Sequence, residues 1–160
     1  MQQQSGNSLP AARVLNKFQE NQFEKVERLL ELREIYKSKV QKIKKKQNVA
    51  EDLKEINQEM GVNSEERLYL DACEAGLSVL QQVDSIIVRL INAGNALVRL
   101  RLMDLMRMKS IDTADVEAVL AEFAAHMDDE ATGPKEEVER LISNFKEAME
   151  EEEEEEEEEE

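Results

Sequence analysis

Histidine and cysteine carry the most distinctive chemistry in this sequence, and each occurs once. Because His126 is the only histidine, a metal site built from several histidines is excluded. A nucleophilic dyad would require His126 to meet a serine or Cys73 across the fold. His126 lies at the acidic end of an amphipathic pattern, where a solvent-exposed histidine is the simpler interpretation. Cys73 lies among apolar residues and is interpreted as a small core residue.

Sequence motifs for phosphate, zinc or calcium binding are absent. The chain has no glycine-rich phosphate loop, no zinc-ligand spacing and no calcium-loop pattern. Its acidic side chains mostly fall on the polar faces of helical patterns, and no spacing pairs two carboxylates. We therefore predict a protein that is not an enzyme, with no catalytic, cofactor-binding or metal-binding residues and no cofactor.

A run of lysines is the first candidate for binding. Six lysines lie between Lys37 and Lys46 and point in nearly every direction of a helix. They suit an acidic partner, a nucleic-acid backbone or nuclear import, and the alternative is a solvated helix end. Direct binding of nucleic-acid bases is not expected, because no aromatic residues are interleaved with the lysines. The candidate protein-binding residues here are Lys42, Lys44, Lys45 and Lys46.

The second charge cluster is an unbroken run of 11 glutamates, Glu150–Glu160. The net charge of −16 falls to −5 when this run is set aside, since 26 acidic and 21 basic residues remain. The tail has two interpretations, a binder of basic proteins or a solubilising brush. Adjacent carboxylates repel one another within the Debye length of about 8 Å. We therefore predict a disordered tail, with no fixed helix beyond a frayed continuation from Met149.

The elements that carry these groups are predicted to be helices throughout. Glycine and proline are scarce, and no segment shows sustained alternation of apolar and polar residues in the manner of a strand. A short alternation over Val98–Arg101 could indicate a strand, but the Asn95 cap and the helix-forming residues around it favour a helix. The organising stretch is Leu68–Ile91, whose apolar side chains fill an arc of about 200° on a helix. A helix with so wide an apolar face must be covered by at least two neighbours. The single cysteine fits a reducing compartment, and neither a membrane span nor a signal peptide is present.

The domain organisation follows from the same patterns. We predict a disordered lead over residues 1–10, a helical domain over residues 11–149 and the poly-Glu tail over residues 150–160. Asn21 is predicted to begin the first long helix, and Asn48 to restart it. Asn95 and Asp112 are predicted to cap later helices. Three methionines, Met103, Met106 and Met108, could form an adaptable binding surface, but their helical spacing favours a position in the core.

One charge lies inside the wide apolar arc, that of Asp84. An unpaired buried carboxylate costs several kcal/mol or stays protonated. We therefore predict a cationic partner from a neighbouring helix, and favour Arg99 or Arg101 because their helix follows directly in the chain. The alternative is a position at the rim of the core, in water.

Four segments together resemble the C-terminal region of the beta-catenin-like protein 1 family, which consists of armadillo-type helical proteins associated with the spliceosome. The segments are RVLNKFQENQFEKVERLLEL at Arg13–Leu32, ERLYLDACEAGLSVLQQVDSIIVRLINA at Glu66–Ala93, VRLRLMDLMRMKSIDTADVEAVLAEFA at Val98–Ala124 and EEVERLISNF at Glu136–Phe145. The first two are the more specific, because they go beyond a generic amphipathic pattern. The resemblance implies an all-α, armadillo-like solenoid end, nuclear localisation and a non-enzymatic role in pre-mRNA splicing, with splicing-complex proteins as partners.

Two further expectations concern partners. A solenoid end needs a polar cap, and the short apolar stripe of Leu15 and Phe18 is too small to cover the first long helix. We therefore predict self-association, or docking of a partner helix, at Leu15 and Phe18. The competing function, suggested by the tail alone, is that of an acidic-tailed, chaperone-like binder of basic proteins.

Overall fold

The computed structural model describes residues 2–57, 64–128, 130 and 132–159. Within these residues the fold is entirely helical, with no strand, and this confirms the predicted all-α class. The six α-helices are α1 (Gln2–Asn57), α2 (Ser64–Ala72), α3 (Ser78–Asn92), α4 (Ala96–Met108), α5 (Thr113–Ala125) and α6 (Thr132–Glu159). A π-helical turn, Cys73–Leu77, joins α2 to α3. None of the described helices is long and apolar enough to cross a membrane.

Helix α3 lies at the centre of the fold. It packs against α1, α4, α5 and α6, which confirms that its apolar arc is covered by several neighbours. The main core contains side chains from all five helices, including Leu30, Ile87, Leu102, Leu120 and Phe145. A smaller apolar cluster joins α1 to the π-helical turn through Val40, Ala72, Leu77 and Leu80.

The predicted continuous helix over Leu68–Ile91 is interrupted at Gly76. Gly76 has a φ of 140°, a backbone angle that residues other than glycine rarely adopt. A Cβ atom at this position would lie only 3.0 Å from Cδ1 of Tyr36 on α1. The absence of a side chain therefore lets α1 approach closely. The bend that separates α2 from α3 lies at the same residue.

Helix α1 is longer than the sequence predicted. Its backbone is helical from Gln2 rather than disordered through Pro10, although proline inside a helix is locally unfavourable. It also runs past the predicted restart at Asn48 to Asn57. The backbone does leave the right-handed region at the predicted start of the long helix, since Asn21 has a φ of 54°. The sequence also predicts that the segment restarted at Asn48 ends at Gly61, as glycine favours the end of a helix, but Gly61 lies outside the described residues.

The two helix caps that the sequence predicted are present in the structure. The Asn95 side chain accepts a hydrogen bond from the backbone N–H of Val98 at 3.1 Å, at the start of α4. The Asp112 carboxylate accepts one from the backbone N–H of Ala114 at 3.0 Å, at the start of α5. Both contacts satisfy N–H groups that the first turn of a helix leaves unpaired.

The prediction of a disordered glutamate tail is wrong for residues 150–159, which continue α6 as a helix to Glu159. Positive charge on α4 supplies the physical reason. A carboxylate oxygen of Glu152 lies 3.6 Å from Nη1 of Arg99, and one of Glu156 lies 2.5 Å from Nη2 of Arg107. These two pairs offset part of the repulsion between neighbouring glutamates.

Candidate protein-binding surfaces

A buried ion pair fixes α1 against α3. Nε of Arg33 donates a hydrogen bond to Oδ1 of Asp84 at 2.7 Å, and its Nη2 donates to Oδ2 at 3.3 Å. Both side chains are fully buried, with exposed fractions of 1% and 0%. The predicted cationic partner of Asp84 is therefore present, but it comes from α1. The choice of Arg99 or Arg101 is wrong, because Arg99 donates to the carbonyl of Ile91 and Arg101 pairs with Glu27.

Burial raises the pKa of the Asp84 carboxyl to about 6, and the charge of Arg33 opposes that rise. Close by, a hydrogen bond from Lys37 lowers the pKa of Asp115. The second terminal nitrogen of Arg33, Nη1, is buried and has no hydrogen-bond partner. The Arg33–Asp84 pair is therefore held by its opposite charges, and removing either side chain would leave the other charge buried without a partner.

The raised pKa of Asp84 gives a testable dependence of stability on pH. Folded Asp84 binds its proton more tightly than unfolded Asp84, so protonation stabilises the fold below about pH 4. This stabilisation is lost as the pH rises through about 6. We expect the free energy of unfolding, relative to Asp84→Asn, to fall by up to about 3 kcal/mol over that range. Urea unfolding of both proteins at several pH values measures the difference. A flat difference curve would contradict the raised pKa.

The lysine run on α1 divides into a paired side and an open side. Nζ of Lys37 lies 2.6 Å from a carboxylate oxygen of Asp115, and Nζ of Lys44 lies 3.1 Å from one of Glu122. A cleft of about 210 Å³ separates α1 from α5 at these pairs. The side chains of the other four lysines are exposed to solvent, namely Lys39, Lys42, Lys45 and Lys46. The candidate lysines therefore do not form one site, because Lys44 pairs within the chain.

Leu15 and Phe18, the candidate residues near the start of α1, are half-buried and pack against the main core. Val14 beside them has half of its surface exposed. Gln19 extends this contact, since its side-chain amide donates a hydrogen bond to the Asn95 side chain at 3.0 Å. The start of α1 therefore covers part of the core near α4 and leaves an apolar edge in solvent.

The sequence did not identify a third surface, formed where α6 passes α4. It contains the pairs of Arg99 with Glu152 and of Arg107 with Glu156. No local pattern in the sequence marked this surface, because every position of the tail is a glutamate. Arg99 and Arg107 are eight residues apart and Glu152 and Glu156 are four apart, so each set lies close to one face of its helix.

A scan against protein-family models gives a match over residues 1–121 to a family described as catenin-beta-like, Arm-motif containing nuclear. The chain belongs to this family. Among its relatives are beta-catenin-like protein 1 of Homo sapiens, 32% identical over 139 residues, and that of Mus musculus, 31% identical over 139 residues. Each alignment covers 83% of this chain and 25% of the relative. The chain thus spans about a quarter of the length of these relatives.

The family assignment confirms the resemblance found in the sequence, and it confirms two expectations drawn from it. The family is an Arm-motif family, which agrees with the layered helices of the fold. Its description as nuclear agrees with the predicted localisation. The candidate residues Leu15, Phe18, Lys42, Lys44, Lys45 and Lys46 stay predictions as binding residues.

The histidine and the cysteine both lie next to Tyr69, whose pKa is raised by burial and further by its contact with Cys73. His126 is exposed, as expected, and its ring stacks on Tyr69 with centroids 3.6 Å apart. Cys73 is half-buried and packs against the smaller apolar cluster. Among the described residues, no group of three or more histidine, cysteine, aspartate or glutamate side chains could hold a metal ion. The methionines that could be core or surface residues differ in exposure, since Met106 is buried and Met108 is 76% exposed.

Proposed function

We propose that this chain is a non-enzymatic scaffold module that acts in pre-mRNA splicing through contacts with protein components of the splicing complex. The observation that carries the proposal is the family match, which covers 121 of the 160 residues and extends over a fold made of stacked helices. Arm motifs build extended surfaces by stacking helices, and such surfaces bind other proteins. The two relatives are named beta-catenin-like proteins, and their names specify no catalytic activity.

The surface of the chain supports this role. Large apolar side chains are exposed on several helices, among them Ile35 on α1, Leu70 on α2 and Leu97 and Leu100 on α4. Each is at least half exposed. Charged side chains surround them, as on α1, where Lys39 and Lys42 follow Ile35 on the outward side. Mixed surfaces of this kind suit binding to other proteins better than binding of a small substrate.

A pull-down from nuclear extract tests the proposal. The tagged chain is compared with a chain that lacks residues 150–160, at low and at physiological salt. We expect splicing-complex proteins to be enriched with both chains, because a scaffold recognises its main partner through the folded surface. Absence of these proteins from both samples would contradict the role in splicing.

A second candidate function is an acidic, chaperone-like binder of basic proteins. The observation that favours it is the exposure of most tail glutamates on the outward side of α6, including Glu154 and Glu158. In that case, removal of residues 150–160 would abolish binding of the main partner, and binding to the intact chain would weaken steeply with salt. The same pull-down therefore separates the two functions.

The apolar edge at the start of α1 yields a further prediction. If Leu15 and Phe18 mediate self-association, Leu15→Glu combined with Phe18→Glu should shift a dimer to a monomer, with any loss of helix content confined to the start of α1, where both side chains also contact the core. Multi-angle light scattering at tens of micromolar, together with circular dichroism, measures both. The wild-type chain running as a monomer without binding an apolar dye would contradict the prediction. The start of α1 would then be a sufficient cap for the fold.

A further inference from the structure

The surface between α4 and α6 carries a preformed pair of arginines. Nε and Nη2 of Arg99 donate hydrogen bonds to the backbone carbonyl of Ile91, at 3.1 and 2.9 Å. These bonds hold the guanidinium at the end of α3, and they leave Nη1 facing Glu152. The orientation of Arg99 therefore does not depend on the tail. Arg107, two turns further along α4, is 60% exposed and pairs with Glu156.

One of the two pairs that seat the tail is short but open to solvent, and the other is mostly buried but long. The Arg107–Glu156 pair is more than half exposed on both sides, and the Arg99–Glu152 distance of 3.6 Å is long for a charged hydrogen bond. Exposed ion pairs contribute little to stability. In addition, the helical tail carries uninterrupted like charge, which favours its release into water. The end of α6 is therefore a contact that a competitor can displace.

The tail also leaves a partly apolar cleft open. A cleft of about 290 Å³ lies between α4 and α6, next to Arg107. Its apolar lining comes from Met103, Met106, Ile111 and Met149, and the rest of its lining is polar, with Asp112, Thr113 and glutamates of the tail. A glutamate side chain ends in a charge and cannot remain in such a space without losing hydration. The tail therefore matches the arginines but not the methionines beneath them.

We propose that this face of α4 is a docking surface for an acidic amphipathic helix of a partner protein, and that Glu152 and Glu156 occupy it in the free chain. The partner helix has two carboxylates one turn apart, which replace those of Glu152 and Glu156. It also has a large apolar residue at the position of Glu153, which enters the methionine-lined cleft. Two observations identify this partner. Its carboxylates complement the charges of Arg99 and Arg107, and the chain's own tail glutamates already occupy the same surface. The docking chemistry goes beyond the proposed scaffold role and does not depend on splicing.

Fluorescence anisotropy on the full 160-residue chain tests the proposal with three synthetic helical peptides. The first has two glutamates four residues apart and a leucine directly after the first glutamate. The second has glutamate in place of the leucine, and the third has lysines in place of the two glutamates. The receptor variants are E152Q/E156Q, which releases the tail, and E154Q/E158Q, which changes the net charge equally on the outward side of α6.

We expect the leucine peptide to bind E152Q/E156Q at least about tenfold more tightly than the wild type or E154Q/E158Q. R107Q, made in the E152Q/E156Q background, should remove most of this gain. The substitution Glu153→Leu in the chain itself should weaken peptide binding, because it fills the cleft from within. Circular dichroism checks that no variant loses more helix than release of the tail accounts for.

Three outcomes would overturn the proposal. The first is equal affinity of the leucine peptide for E152Q/E156Q and E154Q/E158Q. The second is tighter binding of the lysine peptide than of the leucine peptide, which would identify the tail as a site for basic partners. The third is a preference of E152Q/E156Q for a single-stranded oligonucleotide, or a concentration-dependent dimer of that variant in place of peptide binding. A nucleic acid or a second copy of the chain would then be the occupant.

Discussion

Replacing Arg33 with methionine is expected to lower the free energy of unfolding by about 3–5 kcal/mol at neutral pH. The substitution keeps much of the volume of the side chain and removes its charge. Asp84 would then remain fully buried among the side chains of α1 and α3 without a hydrogen-bond donor at 2.7 Å. A buried carboxylate without a partner either costs several kcal/mol or takes up a proton. Urea unfolding followed by circular dichroism measures the loss.

Two controls show whether the loss comes from the unpaired charge. Arg28→Met removes an arginine from the same helix that is 77% exposed and pairs with Glu24, and it should change stability little. The double variant Arg33→Met with Asp84→Leu removes both charges and should recover most of the stability, since buried ion pairs are often replaceable by apolar pairs. If the double variant were as unstable as Arg33→Met, the pair would not be the cause.

The sequence predicted the helices of the second half well, because their signals are local. A period of 3.6 residues assigns α3, α5 and α6 as helices from their own apolar positions. Asn95 and Asp112 mark the starts of α4 and α5, since a capping side chain bonds within its own turn. The all-α class followed from these signals, and the family followed from the specific residues along α1, α2 and α3.

The partner of Asp84 could not be predicted, because it depends on how distant elements pack. The sequence placed Asp84 in an apolar arc and required a cation, and the structure contains one. The choice between cations rested on proximity in the chain, which favoured Arg99 and Arg101. Arg33 lies 51 residues away and reaches Asp84 only because α1 crosses α3. A helical pattern defines which face of α1 is apolar, but it does not define which helix covers that face.

The tail was predicted incorrectly for a similar reason. Repulsion between neighbouring glutamates was considered within the tail alone, and there it opposes a helix. Arg99 and Arg107 become relevant only when α3 and α5 position α6 beside them. The surface between α4 and α6 therefore belongs to the part of the structure that no local pattern contains. The lysine run differs, since both its paired and its exposed lysines lie on a helix that the pattern predicted.

Replacing Gly76 with alanine is expected to lower the free energy of unfolding by about 1–3 kcal/mol. Two causes contribute. The φ of 140° is unfavourable for any residue with a Cβ atom. The new methyl group would also lie 3.0 Å from Cδ1 of Tyr36, and that ring belongs to a side chain packed against the smaller apolar cluster. Thermal and urea unfolding of Gly76→Ala measure the sum of the two.

A double-mutant cycle with Tyr36→Leu separates these causes, because leucine removes the ring and keeps an apolar side chain. The part of the loss that comes from the contact should disappear in the Tyr36→Leu background, and the part that comes from the backbone should remain. Gly133→Ala is the matched control, since a Cβ there meets no atom within 4 Å. If Gly76→Ala were as stable as the wild type, α2 and α3 could join as one regular helix. The close approach of α1 would then not require glycine at this position.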